Sequence, residues 1–272
     1  MNRSIDVMTN MLSAILKDNI VCVYLYGSVV MDDFKLGWSD IDILCLTKEV
    51  VSDFEAEQLV DLRQSLLIDE KTNQYYRSYE GAIVSVDEFK KRQYTKVVYW
   101  GTSGQRITDE YSFDVFSLYG LIKYGQLILG TDIRNGLVLP TYEELKYGVH
   151  QHYQTIRKYA TKTGESLYSC GWLLDIARCI YTLRYNDIIS KTKAGEWAIK
   201  ENLCPEEEQM LFTLQIRNRP IYYKEQTEVK EWLRSLGTSV QLFADVLEAE
   251  MRCQGDGVVD TYEGDFNEGC IP

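Results

Sequence analysis

Two hydrophobic periods alternate along the first half of the chain. Apolar residues recur every three or four positions over 5–17 and 52–67, which predicts two amphipathic helices, the second with Ser52 as its N-cap. Short apolar runs predict three strands, at 20–27, 40–46 and 80–86. Helices that alternate with strands in this way indicate a sheet with helices packed on it.

From about Tyr111 onward the pattern is helical almost throughout. Helices are predicted at 111–129, 141–160, 169–187, 193–202, 206–218 and 228–251. We place a domain boundary near Pro140, after the turn "GTDIRNGLVLP". The chain is thus predicted to be α+β or α/β, with a mixed sheet and packed helices in 1–140. An all-helical domain is expected in 141–272, and its residues from 251 onward form an acidic tail.

Two carboxylates stand at the head of the second predicted strand. Asp40 and Asp42 are two residues apart, so their side chains project from the same face, whereas Ile41 and Ile43 point into the core. Two neighbouring carboxylates repel each other, and a divalent cation between them removes the conflict. Mg²⁺ commonly takes one or two carboxylates together with phosphate oxygens. The spacing therefore predicts a magnesium site.

The first predicted strand ends in Gly27 and Ser28, and a gap of eleven residues separates Ser28 from Asp40, the first of the paired aspartates. Glycine lets the backbone approach a bulky ligand, and backbone N–H groups beside a serine hydroxyl are good partners for phosphate. Alone, a Gly-Ser pair is an ordinary turn, and Asp-x-Asp is commonly a solvated strand edge. The combination predicts a seat for a nucleoside triphosphate with Mg²⁺, although neither G-x-x-x-x-G-K-[ST] nor G-x-G-x-x-G is present.

Composition narrows the class of protein. The net charge of −12 disfavours a nucleic-acid-coating protein and suits either a cationic small ligand or simple solubility. No apolar run approaches the ~20 residues of a membrane span, so no membrane partner is expected. Seven cysteines, an odd number without C-x-x-C, indicate reduced thiols and a cytoplasmic protein. The oligomeric state stays open.

Three stretches carry a family resemblance. The segment "YGSVVMDDFKLGWSDIDILCL" resembles the nucleotidyltransferase superfamily of the DNA polymerase β type, and it is most similar to aminoglycoside adenylyltransferases of the streptomycin/spectinomycin group. "RSYEGAIVSVDE" (77–88) is similar to a strand of that family that carries a glutamate, here Glu80. "WLLDIARCIYTLRYNDIISKTKAGEWAI" (172–199) is similar to its C-terminal helix pair.

The resemblance implies ATP-dependent transfer of AMP to a hydroxyl of an aminoglycoside, with release of pyrophosphate. Asp40 and Asp42 would then hold two Mg²⁺ ions, which clamp the attacking and leaving oxygens. Ser28 and the Gly27 backbone would hold the terminal phosphates, with help from Ser39.

Three further residues acquire roles only through the resemblance. Glu80 becomes the general base that takes the hydroxyl proton. Lys191 and Arg178 become phosphate-binding cations of the helical domain, which would close a cleft over the nucleotide. Without the resemblance, Glu80 is a solvated strand-start residue, with Asp87 or Glu88 next in line as the base. The two cations are then surface charges and part of an ion pair on a helix face.

Other functions stay open at this point. The same chemistry could act on a lincosamide or on a protein hydroxyl, because the acidic position that streptomycin-accepting members carry has no counterpart in register. A non-catalytic nucleotide-binding module would be expected to lack a metal carboxylate or the base. An RNA-directed transferase is disfavoured by the acidity of the chain.

Overall fold

The first part of the chain folds around a mixed sheet in the computed structural model, which describes residues 1–101 and 104–254. The strands are β1 Ile20–Tyr26, β2 Ile41–Thr47, β3 Tyr79–Ser85, β4 Val97–Gly101, β5 Gly104–Thr108 and β6 Gln126–Gly130. They lie in the order β5-β4-β3-β2-β1-β6. Only β2 and β3 pair in parallel among these neighbours, since the other pairs run antiparallel.

Helices cover both faces of this sheet. They are α1 Asn2–Leu16, α2 Asp53–Asp69, α3 Val86–Lys91 and α4 Val115–Tyr124. The predicted N-cap of α2 is confirmed, because the Ser52 hydroxyl accepts a hydrogen bond from the Glu55 N–H at 3.2 Å, and the Glu55 carboxylate accepts one from the Ser52 N–H. This reciprocal pair is a capping box, which satisfies two N–H groups at the start of the helix.

Alternate strand positions face two separate cores. One core, against α1 and α2, includes Met8, Leu12, Ile41, Ile43, Leu59 and Ile83. The other includes Tyr24, Leu44, Ala82, Val84, Phe89 and Leu121. Because side chains alternate with period two, Asp42 shares the second face with Leu44, and Glu80 shares it with Ala82. Asp42 and Glu80 thus lie on a face of the sheet that is otherwise apolar. They stand at the edge where β2 and β3 begin and where the antiparallel strand β1 ends.

The chain divides into two compact units between Leu139 and Pro140. The second unit is helical over its described part, with α5 Tyr142–Tyr159, α6 Tyr168–Tyr185, α7 Lys191–Lys200, α8 Glu207–Asn218, α9 Pro220–Tyr223, α10 Thr227–Ser235 and α11 Gly237–Cys253. Leu174, Ile176 and Ile180 of α6 are fully buried in its core. A mixed sheet with helices, followed by a helical region, confirms the predicted fold class.

One predicted helix is wrong in its second half. The apolar run over 111–129 was expected to be helical, but α4 ends at Tyr124 and β6 follows as an edge strand beside β1. Gly125 marks the change: it has an extended backbone, and a Cβ there would lie 2.3 Å from the Leu121 carbonyl oxygen. A short apolar run fits either structure, and pairing with β1 decides the outcome.

Further differences also arise from tertiary contacts. The helix predicted over 228–251 is broken at Leu236 into α10 and α11, where a Cβ on Gly237 would lie 2.3 Å from the Thr161 carbonyl oxygen. Strands β4 and β5 were not predicted. The predicted acidic tail falls largely on residues 255–272, which lie outside the described residues.

Two remaining features concern apolar helices and cysteines. Within residues 1–101 and 104–254, no helix is long and apolar enough to cross a bilayer. Six cysteines in the same ranges are free thiols, four of them buried.

Candidate active site

The turn that follows β1 is held by contacts with the residues at the start of β2. Gly27 has a positive φ of 66°, and a Cβ there would lie 2.0 Å from Oδ2 of Asp42, so no other residue fits without displacing that carboxylate. The Ser28 N–H bonds the Asp42 carboxylate, and the Ser28 hydroxyl donates to the Asp40 carbonyl oxygen at 3.2 Å. The turn and the paired aspartates are therefore one structural element.

A row of polar side chains crosses the first three strands. Asp42 of β2 is in register with Tyr26 of β1 on one side and with Glu80 of β3 on the other. Residues in register on neighbouring strands project from the same face. Asp42 and Glu80 are both partly exposed. The Glu80 carboxylate accepts a hydrogen bond from the Tyr99 hydroxyl at 2.8 Å, so its position is fixed from β4.

The electrostatics of this row show crowding of negative charge. The pKa of Asp42 is raised well above its usual range, first by burial and then by the charges of Asp40 and Glu80, with the Ser28 N–H acting in the opposite direction. Burial is likewise the main reason why the pKa of Tyr26 is raised. Asp114, the N-cap of α4, adds a further negative charge near both residues.

The residues present fit a magnesium ion that is completed by phosphate. Within the described ranges, no group of three or more His, Cys, Asp or Glu residues is arranged to hold a metal by itself. Asp40 and Asp42 supply two carboxylates, and Mg²⁺ usually takes only one or two from the protein, with phosphate and water completing its coordination. A cation beside Asp42 would also relieve the repulsion that raises its pKa.

Ser39 has a local role in the structure. It is buried, its hydroxyl oxygen accepts from the Lys35 N–H at 3.0 Å, and its own N–H donates to the Lys35 carbonyl at 2.8 Å. These contacts shape the loop that leads into Asp40. The predicted contact of Ser39 with phosphate therefore stays a prediction.

The two substitutes considered for the base are engaged elsewhere. Asp87 pairs with Lys91 at 2.7 Å on the exposed side of α3. Glu88 is buried, and although burial raises its pKa, hydrogen bonds from Thr95 and Ser85 outweigh burial and lower it. Glu80 is thus the carboxylate of this segment that lies in the row with Asp42.

Sequence reasoning missed two residues that act on the row, one through a hydrogen bond and the other through its charge. Tyr99 bonds Glu80, and its ring is covered by the Arg106 guanidinium at 4.7 Å from the ring centroid. Arg63 of α2 donates to the carbonyls of Tyr79 and Gly101 at 2.7 and 3.1 Å, and its charge acts on Glu80 and Asp40. The uniformly apolar run "VVYWG" gave no signal for Tyr99, whereas an arginine at helical spacing from the leucines of α2 was a signal for Arg63.

The two predicted phosphate-binding cations form a separate group in the second unit. Lys191 Nζ lies 3.2 Å from the Asp175 carboxylate, and Arg178 Nη1 lies 3.6 Å from it. Arg178 Nε also donates to the Ile189 carbonyl at 3.1 Å. Burial raises the pKa of Asp175, but the Lys191 and Arg178 charges outweigh it and hold that pKa below its usual range. The structure therefore gathers the predicted residues into two groups, one in each unit.

Comparison with protein families matches each unit separately. A nucleotidyltransferase domain model matches residues 10–97, and a model of the aminoglycoside adenylyltransferase C-terminal domain matches residues 145–247. The chain belongs to the aminoglycoside nucleotidyltransferase family. It is accordingly an enzyme of the nucleotidyltransferase class, and the resemblance drawn from its sequence motifs is confirmed.

Solved structures agree with this assignment at the level of the fold. The spectinomycin adenyltransferase AAD(9) from Enterococcus faecialis, solved with ATP and spectinomycin, is similar with a TM-score of 0.64 and 19% identity, over 91% of this chain and 99% of that one. A mutant of the toxin–antitoxin MntA-HpeT gives a TM-score of 0.29 and 14% identity, over 56% of this chain and 91% of that one, which is too low to support an argument. No curated protein sequence matches the chain.

Proposed function

We propose that this aminoglycoside nucleotidyltransferase transfers AMP from MgATP to a hydroxyl of an antibiotic of the spectinomycin/streptomycin class and releases pyrophosphate. The proposal rests on one observation, the close contact of the Gly27–Ser28 turn with the Asp42 carboxylate. This contact brings phosphate-binding N–H and O–H groups beside a crowded pair of acids. Such an arrangement suits a triphosphate that arrives with its cation.

The N-terminal residues have distinct roles in this reaction. Asp40 and Asp42 would hold two Mg²⁺ ions, which supply charge neutralisation and alignment of the attacking and leaving oxygens. The Gly27 backbone and the Ser28 hydroxyl hold the phosphates, and Ser39 shapes the loop before Asp40. Because Gly27 has no side chain, the Asp42 carboxylate can lie against the turn that would hold the phosphates.

Glu80 takes the proton from the acceptor hydroxyl as that oxygen attacks the α-phosphorus. It is suited to this because it is partly exposed and lies in register with Asp42, while Tyr99 fixes its orientation. Lys191 and Arg178 neutralise the charge of the terminal phosphates as pyrophosphate leaves. In this proposal 1–140 supplies the catalytic acids and 141–272 supplies the phosphate-binding cations.

The acceptor is inferred by similarity and by charge. The similar protein AAD(9) was solved with ATP and spectinomycin, and both family models match this chain. A net charge of −12 would attract a cationic acceptor. We place the reaction in the cytoplasm, where ATP is available, and antibiotic resistance of the host would be its consequence.

The test is an acceptor panel. The purified full chain is incubated with ATP, Mg²⁺ and either spectinomycin, streptomycin, a lincosamide or a protein substrate mixture, and products are examined by mass spectrometry. We expect an adenylylated aminoglycoside that requires both ATP and Mg²⁺. Adenylylation of the lincosamide or of protein alone would reassign the acceptor. Tight ATP binding with no transfer to any acceptor would indicate a non-catalytic module.

A further inference from the structure

Arg63 of α2 bridges two strands beside the polar row of the active site. Its guanidinium donates to the carbonyl oxygen of Tyr79, where β3 begins, at 2.7 Å, and to that of Gly101, where β4 ends, at 3.1 Å. A bond in the opposite direction joins the same elements, because Trp100 Nε1 donates to the carbonyl oxygen of Leu59, one turn earlier in α2, at 2.8 Å. Helix α2 is therefore tied to the end of β4 from both sides.

The start of β3 lies ahead of the pairing between β3 and β4. On that side the described pairing begins only at Gly81, the residue after Glu80. Gly81 has a positive φ of 149°, and a Cβ there would lie 1.7 Å from the Ile43 carbonyl oxygen, so the backbone next to Glu80 has a conformation that suits glycine alone. Beyond the pairing, the contact of Glu80 with Tyr99 and the bridge made by Arg63 tie the strand start to β4.

The charge and the shape of the Arg63 side chain both suit this position. Burial lowers the pKa of Arg63, and the negative charges of Glu80 and Asp40 oppose that change. A planar guanidinium can bond two carbonyls at once, whereas an ammonium group has no such fork. Its Nε is buried and has no hydrogen-bond partner within the described residues. An unsatisfied buried donor costs free energy, which favours a role for this arginine beyond stability.

We propose that Arg63 is a positioning residue for adenylyl transfer, which holds Glu80 beside the paired aspartates by bridging the start of β3 and the end of β4. It acts through Glu80 and Tyr99, because both of its hydrogen bonds go to backbone carbonyls. The inference rests on the proposed function, in which Glu80 takes the proton from the attacking hydroxyl. A displacement of about 1 Å at a reacting group can lower turnover by about 10²-fold, so a small shift of the strand start is sufficient.

The experiment compares Arg63→Lys and Arg63→Met with the wild type in the full chain. Lysine keeps the charge without the fork, and methionine keeps only an apolar stem. We expect each change to lower kcat by about tenfold with KM for ATP unchanged, because the bridge serves Glu80 and not the phosphates. The matched control is Arg134→Lys, since Arg134 is a half-buried arginine of the same unit that donates to the Gly125 carbonyl. It should leave kcat unchanged.

A double-mutant cycle provides a measurement that a purely structural role would not affect. In the Glu80→Gln background, adding Arg63→Met should lower turnover little further, because the group that Arg63 positions has already lost its basicity. Fully additive losses, or a normal kcat in Arg63→Met alone, would overturn the inference. Arg63→Lys replaces Arg63→Met in every measurement if the methionine variant does not fold.

Hydrogen exchange separates this inference from the proposed function, because it requires no turnover. The amides of residues 79–81 should exchange faster in Arg63→Met than in the wild type, and at the wild-type rate in Arg134→Lys. Faster exchange there, in a protein that transfers AMP to no acceptor, would refute the proposed function and leave the bridge that holds Glu80 standing. Transfer by the wild type, with unchanged exchange of these amides in Arg63→Met, would refute the bridge and leave the function standing.

Discussion

The two charged groups of this enzyme are built in opposite ways. In the N-terminal unit the pKa of Asp42 is raised, first by burial and then by the charges of Asp40 and Glu80. In the helical unit Asp175 faces Lys191 and Arg178, and its pKa is lowered. The first group therefore gains from the arrival of a cation, whereas the second already contains its counter-ion, and an incoming phosphate must compete with Asp175 for the same cations.

The largest effect should come from removing a carboxylate of the first group. Asp40→Asn and Asp42→Asn are each expected to lower turnover by on the order of 10³-fold or more, because metal clamping supplies several kcal/mol to such reactions. Unfolding temperature should not fall, since each change relieves repulsion. Asp87→Asn, an exposed acid paired with Lys91, is the control and should retain activity. Near-normal turnover of both site variants at saturating Mg²⁺ would show that the two aspartates take no part in the reaction.

Glu80→Gln should have the next largest effect. The change keeps size and the contact with Tyr99 but removes basicity, so we expect turnover to fall by about 10²-fold, the usual contribution of a general base. Binding of MgATP, measured by calorimetry, should stay normal. Loss of MgATP binding would instead make Glu80 a metal ligand, and full activity would return it to a solvated residue at a strand start.

A smaller effect is expected at Tyr99, which acts through Glu80. Tyr99→Phe removes the hydrogen bond to the Glu80 carboxylate and should lower kcat by roughly threefold to tenfold, since the bond is partly solvated, with KM for ATP unchanged. The control is Tyr94→Phe, whose ring also contacts Tyr111. In a double-mutant cycle, adding Tyr99→Phe to Glu80→Gln should cost little more than Glu80→Gln alone. Fully additive losses would mean that Tyr99 acts independently.

A separate prediction concerns stability, not turnover, in the second group. Asp175→Asn should destabilise the protein by about 3 kcal/mol at neutral pH, the lower end for breaking a buried pair. A carboxyl whose pKa is lowered by folding stabilises the folded state when the pH is above its ordinary pKa. That stabilisation is lost as the pH falls through the lowered pKa. The difference between wild type and variant in denaturant unfolding should therefore shrink below about pH 4.

The matched control for that change is Asp245→Asn, because Asp245 pairs with Arg157 on the surface with 63% of its side chain exposed. Exposed pairs contribute at most about 1 kcal/mol, so this variant should differ little from the wild type at any pH. If Asp175→Asn behaved in the same way as Asp245→Asn, the charge pairing in the second group would be unimportant to the fold.

What the sequence could reveal depended on how local the signal was. The Gly27–Ser28 turn and the Asp40–Asp42 spacing are read along one stretch of chain, and the structure brings them together with Glu80. Family assignment and fold class followed from such local patterns. Strand β6 and the contact of Tyr99 with Glu80 depend on partners distant in sequence, and short apolar runs carry no period long enough to identify them.

The charged group of the helical unit was likewise only partly predictable from local sequence patterns. Lys191 and Arg178 were found by resemblance, whereas Asp175 was not singled out from the sequence. Its significance appears only when α7 brings Lys191 against Asp175 and Arg178 of α6.

The central claim, that paired aspartates direct adenylyl transfer, is tested most directly by the fate of labelled phosphorus. Wild type and Asp42→Asn are incubated with Mg²⁺, an acceptor identified in the panel, and ATP labelled at either the α- or the γ-phosphorus. We predict that wild type places the α-label on the acceptor and the γ-label in pyrophosphate, and that Asp42→Asn does neither. Transfer of the γ-label to the acceptor, or undiminished transfer of the α-label by Asp42→Asn, would contradict the claim.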